Sequence, residues 1–126
     1  ADQAFIDQVN AIIDERMGDE QFEVNALARK LGFSRSAFYR KFTGLTDVSP
    51  AEFIRTRRLR RAAEWLAAGT KNVTEAAFAA GFSDSGYFSR VFKEEFKCLP
   101  STFTRNHSTR IAPESAAAGP SRPPGE

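Results

Sequence analysis

Apolar residues at helical spacing open the chain. Phe5, Ile6, Val9, Ile12, Ile13 and Met17 recur three and four residues apart, which predicts an amphipathic helix over residues 3–17, with Gly18 as its stop. Val24, Leu27, Ala28 and Leu31 mark a short helix over 24–31, after which Gly32-Phe33-Ser34 turns the chain. Ser34 is a natural N-cap, and Phe38 and Phe42, one turn apart, give a helix over 35–45 its inward side. Residues 49–69 read as one long helix: Ser49 caps it, Pro50 presets the first φ, Glu52 completes an S-x-x-E capping box and Gly69 ends it. Phe53, Ile54, Leu59, Ala62, Ala63, Trp65 and Leu66 place apolar surface on more than one side of this helix, as expected between two small units. Asn72-Val73-Thr74-Glu75 is a second capping box, opening a helix through Ala80; Gly81-Phe82-Ser83 turns the chain again. Asp84 caps a helix over 85–96 with Phe88, Phe92 and Phe96 inward, and a short helix over 100–105 follows. From about Ser108 the sequence is Ala, Gly, Ser and Pro with almost nothing to bury, which predicts a disordered tail over 108–126 behind one domain at 1–107. Runs of β-branched residues with period-two alternation are missing. The expected fold is all-α, with about seven helices.

An internal repeat organises these helices. LARKLGFS at 27–34 returns as AAFAAGFS at 76–83, an offset of 49 residues. Beyond the turn the offset is 50, so that Phe38, Arg40, Phe42, Pro50, Phe53 and Arg55 match Phe88, Arg90, Phe92, Pro100, Phe103 and Arg105. One extra residue therefore sits in the second turn. Each copy is helix, G-F-S turn, capped helix, the pattern of a helix-turn-helix, giving a first unit over about 24–45, a linker helix over 49–69 and a second unit over about 72–96. The alternative is a helical hairpin used twice for packing, as in a solenoid; two copies are too few for a stable stack, and the joining helix resembles neither. A linker of about 19 residues rising ~1.5 Å each spans roughly 28 Å, near the ~34 Å turn of B-DNA.

Charge sharpens this picture. The 126 residues carry a net charge of only +2. Residues 1–23 hold one basic and seven acidic side chains, whereas 24–112 hold sixteen basic and seven acidic. A basic body behind an acidic preface suits a polyanionic partner; solvated surface cations are the plainer explanation of so mild an excess. With Phe38 and Phe42 inward, the outward residues of the first candidate recognition helix are Arg35, Ser36, Tyr39 and Arg40. Arginine can bond guanine bidentately, and hydroxyls can bond bases or phosphates. The second offers Ser85, Gly86, Tyr87, Ser89 and Arg90, and Gly86 has no side chain to read with, so more arginine readout is expected in the first unit. Arg40 and Arg90 could instead pair with nearby carboxylates, and Tyr87 could pack on the turn. Arg55, Arg57 and Arg58 on the linker helix are the phosphate-contact candidates, of which one or two are expected to serve.

Cys98 has no partner for an internal disulfide and, with the single His107, cannot make a zinc site. No cofactor or metal is expected. The longest apolar run is too short to span a bilayer, and no charged-then-apolar leader opens the chain; a soluble, cytoplasmic domain without membrane contact is expected. A first residue Ala1 in place of methionine suggests a fragment or processed product.

With two G-F-S turns flanking S-P-x-E-F-I-R…R-L-x-x-A-x-x-L, and G-F-S-D-S-G-Y-F-S-R-V-F-K-E-E-F…P over 81–100, the chain resembles the DNA-binding domain of the AraC/XylS family of bacterial transcription regulators over about residues 24–105. That resemblance implies seven helices, two helix-turn-helix units entering adjacent major-groove segments of double-stranded DNA, and an upstream sensing or receiver domain outside this chain. RNA polymerase is a further candidate partner. The resemblance puts Ser36, Tyr39, Arg40, Ser85, Gly86, Ser89 and Arg90 at base- or phosphate-facing positions. The preface F-I-D-Q-V-N-A-I-I-D-E-R and the run S-R-S-A-F-Y-R-K-F also resemble the output domains of hybrid two-component sensor regulators. Two departures stand out. Asp47 and Lys97 occupy positions where the family often has glycine, and Asp84-Ser85-Gly86 replaces the common D-P-S start of the second recognition helix.

Two other classes compete with DNA binding. A protein-docking module built on the same fold would use its phenylalanine-rich surface. An enzyme would need an activated nucleophile, and Cys98 lies in a short connection with no His or Glu arranged to activate it. No enzymatic activity is expected.

Overall fold

The computed structural model describes the backbone of residues 2–111 and the side chains of residues 2–107. Its seven helices are α1 (Asp2–Glu15), α2 (Val24–Lys30), α3 (Arg35–Thr46), α4 (Pro50–Ala68), α5 (Val73–Ala79), α6 (Ser85–Phe96) and α7 (Pro100–Ile111), with no strand among the described residues. The last helix is longer than the sequence suggested and takes in residues 108–111, where a tail was expected. No glycine or proline interrupts it before Pro113, and the residue preceding a proline is biased away from helix. The rest of the expected tail, 112–126, lies outside the described residues.

Short side chains set most helix starts. Ser34 Oγ accepts from Ala37 N at 3.2 Å and Ser49 Oγ from Glu52 N at 3.1 Å. The reciprocal bond from Glu52 is not formed, so the box predicted at α4 is a single cap. At α5 both halves of the box exist: Asn72 Oδ1 accepts from Glu75 N, and Glu75 Oε1 from Asn72 N. Asp84 is the extra residue of the second turn, and its Oδ1 accepts from both Gly86 N and Tyr87 N at 2.8 and 3.2 Å. Helices α3 and α6 end on left-handed residues that are not glycine, Asp47 (φ +63°) and Lys97 (φ +66°).

Each unit closes over its own core, and the repeat is visible in ring geometry. In the first, Phe38 stacks on Phe42 with centroids 5.6 Å apart and Phe53 meets Phe42 edge-on at 5.0 Å. In the second, Phe88 and Phe92 lie 5.5 Å apart and Phe103 meets Phe92 edge-on at 5.4 Å. Helix α7 thus stands to the second unit as α4 stands to the first. The first core gains Phe5, Val9, Ile13 and Met17 from α1 and the residues after it, together with Phe22; the second gains Leu59, Ala62, Ala63 and Leu66 from α4. Phe38, Phe42, Phe88 and Phe92 are fully buried, and each buried aromatic removes roughly 150–250 Å² from water. Trp65 packs against both cores while only half-buried, with Arg61 and Lys71 over its ring at 4.9 and 5.0 Å.

Candidate nucleic-acid interface

Burying the phenylalanines of α3 and α6 dictates what their other sides present. On α3, Arg35, Ser36, Tyr39 and Arg40 are exposed, as the spacing predicts, and Tyr39 keeps 49% of its surface. Arg35 Nη1 donates to Asn25 Oδ1 at 3.0 Å, fastening the start of α3 to α2. Among the described residues the Arg40 side chain has no hydrogen bond, ion pair or ring contact, so pairing with a carboxylate is not what holds it. Thr43, one turn on, spends its hydroxyl on Tyr39 O at 2.8 Å.

On α6 the outward side is built differently. Ser85, Gly86, Tyr87 and Arg90 are exposed and Ser89 is half-buried. Tyr87 leans back on the turn, its ring 6.2 Å from that of Phe82, and Arg90 Cζ lies over the Tyr87 ring, 5.2 Å from its centroid. Tyr87 therefore packs on the turn and still leaves 37% of its surface open. Lys93 is exposed one turn beyond Arg90 and was missed in the sequence; its spacing of three from Arg90 puts it on the same side.

The three linker-helix candidates separate. Arg55 is exposed and lines a groove of about 300 Å³ between the units, with Phe22, Glu23, Phe82 and Tyr87. Arg57 is committed to Asp14, Nε and Nη2 donating to its two carboxylate oxygens at 2.8 and 2.7 Å. That hydrogen bonding raises the Arg57 pKa above its ordinary value, against an opposing effect of burial. Arg58 corrects the prediction outright. It is 8% exposed, its Nη1 donates to Gly81 O at 2.9 Å, and its Nη2 donates to Asp19 O and Phe22 O at 3.0 and 3.1 Å. Burial lowers its pKa, offset in part by the Asp19 charge. Though Arg58 edges the same groove as Arg55, its Nη atoms are already bonded to three carbonyls, which leaves little of the guanidinium for a phosphate. Ile54, Arg58 and Ala62 recur at four-residue steps along one inward stripe, a signal that could have separated Arg58 from its neighbours.

Among the described residues no group of three or more His, Cys, Asp and Glu could hold a metal ion, and no helix is long and apolar enough to cross a membrane.

Two helix-turn-helix units on one long helix, each with its own aromatic core and an arginine at the same outward position, define a tandem helix-turn-helix protein. A family profile described as a helix-turn-helix domain matches residues 27–106. The chain is 32% identical over 101 residues to the regulatory protein SoxS of Escherichia coli K12, covering 80% of this chain and 94% of that protein. It is 33% identical over 110 residues to histidine kinase P4 of Formosa agariphila, covering 87% of this chain but only 8% of the kinase. Among solved structures, the DNA-binding domain of AdpA in complex with a target DNA superposes with a TM-score of 0.71 at 25% identity, over 88% of this chain and 95% of that one. The chain belongs to the AraC/XylS family of helix-turn-helix domains.

Proposed function

We propose that the chain binds double-stranded DNA in a sequence-specific way as the output domain of a bacterial transcription regulator, with α3 and α6 entering adjacent major-groove segments. The observation that carries this reading is Arg40: a cation at the front of an exposed helix, matched in the repeat by Arg90, with no partner among the described residues. Arg35, Ser36, Tyr39 and Arg40 face base edges or phosphates from the first unit; Ser85, Gly86, Tyr87, Ser89 and Arg90 do so from the second. Arg55 is the phosphate contact retained on the linker helix, and Lys93 adds to the second face.

The functional unit is the domain at residues 1–107, with the two units and linker helix as delimited in the sequence, extended by the longer α7. It answers to an upstream sensing or receiver domain; a match covering 8% of a histidine kinase is what a shared output domain at one end of a long regulator would give. It works by binding and not by catalysis, in the cytoplasm where the chromosome lies, with RNA polymerase as a further partner.

Selection of bound sequences from a random duplex library, followed by footprinting, tests the reading. One enriched sequence and two protected segments about one helical turn apart on one face of the duplex are expected, with affinity falling steeply as salt rises. Failure to enrich any sequence, or affinity indifferent to salt, overturns it.

A further inference from the structure

The two units are joined by more than the linker helix. Met17 and Phe22 anchor the loop between α1 and α2 in the first core, and Phe82 anchors the second turn in the second core. Between these anchors lies the Arg58 guanidinium, donating to Asp19 O and Phe22 O on one side and to Gly81 O on the other. Contact is close enough to demand glycine at position 81. A Cβ there would fall 2.5 Å from Met17 O and 2.6 Å from Arg58 Nη1, and Gly81 has φ +96°. The fork of a guanidinium can serve three carbonyls at once, which a single ammonium on a flexible stem does far less well.

A buried cation bonded only to carbonyls is a poor way to gain stability, since its desolvation is costly and an apolar side chain of similar volume often serves as well. Geometry is what the arrangement supplies. We propose that Arg58 is a positioning residue that clamps loop 17–22 of the first unit onto the second unit's turn, fixing the angle between α3 and α6 and hence the spacing of the two DNA segments the chain accepts. The last clause rests on the DNA-binding reading; the clamp itself does not.

Pulsed electron paramagnetic resonance without DNA reads the clamp alone. Gly44 and Glu95 are exposed, one on each recognition helix, and a side chain at Gly44 meets open space, so spin labels on Gly44→Cys and Glu95→Cys in a Cys98→Ser background report the angle between units. A narrow distance distribution is expected with Arg58 and a broadened or displaced one with Arg58→Met, while the helical content of the chain is kept. Unlabelled proteins are then titrated with the selected duplex and with versions carrying one base pair more or less between the segments. The Arg58 protein should lose about tenfold or more on either change, because simultaneous engagement fails when the span is wrong. Arg58→Met should bind all three duplexes alike, at the weakened affinity of one unit, and Arg58→Lys should fall between. Superimposable distance distributions for Arg58 and Arg58→Met overturn the clamp, whatever the DNA result. Broadened distances with spacing discrimination retained overturn its role in DNA spacing. If Arg58→Met does not fold, Arg58→Lys, which keeps the charge but loses the fork, replaces it under the same criteria.

Discussion

The first unit turns its α2–α3 corner with Ser34 and shows Arg35, Ser36, Tyr39 and an unpartnered Arg40, whereas the second inserts Asp84 at the same corner and folds Tyr87 and Arg90 onto each other. Their interiors barely differ. Phe38 and Phe42 match Phe88 and Phe92, the edge-on partner Phe53 matches Phe103, Pro50 and Pro100 are both fully buried, and Asp47 and Lys97 are both left-handed. A repeated core therefore holds two unlike faces. Packing restricts residues that touch six to twelve neighbours, while an outward position is restricted only by what it meets in solution.

The largest expected effects test whether the interiors are equivalent. Phe38→Ala and Phe88→Ala should each cost about 3–5 kcal/mol, as full removal of a buried ring does. Urea unfolding followed by circular dichroism checks both; a loss confined to one variant would show that one core carries the fold. Next come the faces. Arg40→Ala should weaken binding to the selected duplex by about 1–3 kcal/mol and relax preference at one or two base pairs. Arg90→Ala should cost less, because Arg90 must give up its place over Tyr87, a contact of about 0.5–1 kcal/mol at an exposed site. Anisotropy titrations against single-base variants of the duplex measure both, and equal losses would erase the distinction drawn between the units.

Smaller differences lie at the helix ends. Asp84→Ala should cost about 1–2 kcal/mol and Ser34→Ala about 1 kcal/mol, since the first removes acceptor bonds to two amides and the second to one. Thermal unfolding ranks them, and a reversed order would mean that the extra residue is no better a cap. Smallest of all, Lys97→Gly should stabilise the protein by about 0.5–1 kcal/mol and Asp47→Gly by less, because aspartate tolerates the left-handed region better than lysine. Calorimetry on the pair decides this, and a destabilised Lys97→Gly would show that its side chain offsets the backbone strain.

Much of this architecture is legible in the sequence. Local signals were enough for the G-F-S turns, the caps at Ser34, Ser49, Asn72 and Asp84, and the inward phenylalanines, because each depends on residues within a turn or two of itself. The reciprocal bond at Glu52 was expected on the same grounds and did not form. Five arginines in seven positions of the linker helix were harder to sort. Arg57 finds Asp14 at a separation of 43 residues, and Arg58 finds carbonyls at separations of 23, 36 and 39. Such partners follow from how the two units dock, which no local pattern records. Trp65 lies between the two units as its apolar spacing suggested, but it stays half-exposed, so its removal leaves a shallower gap than a buried ring would.

Inequality between the two faces has a consequence for orientation along a chromosome. A symmetric dimer on a two-fold site looks the same after the duplex is reversed. This chain carries its two helix-turn-helix units in tandem on one polypeptide, with α1 packed on the first and α7 on the second. On the proposed function, a DNA site for this chain has a head and a tail. Reversing that site in place would swap the ends toward which α1 and α7 point, without changing a single contact. A promoter could thus encode, by the strand on which the site is written, which flank of the domain faces the start of transcription.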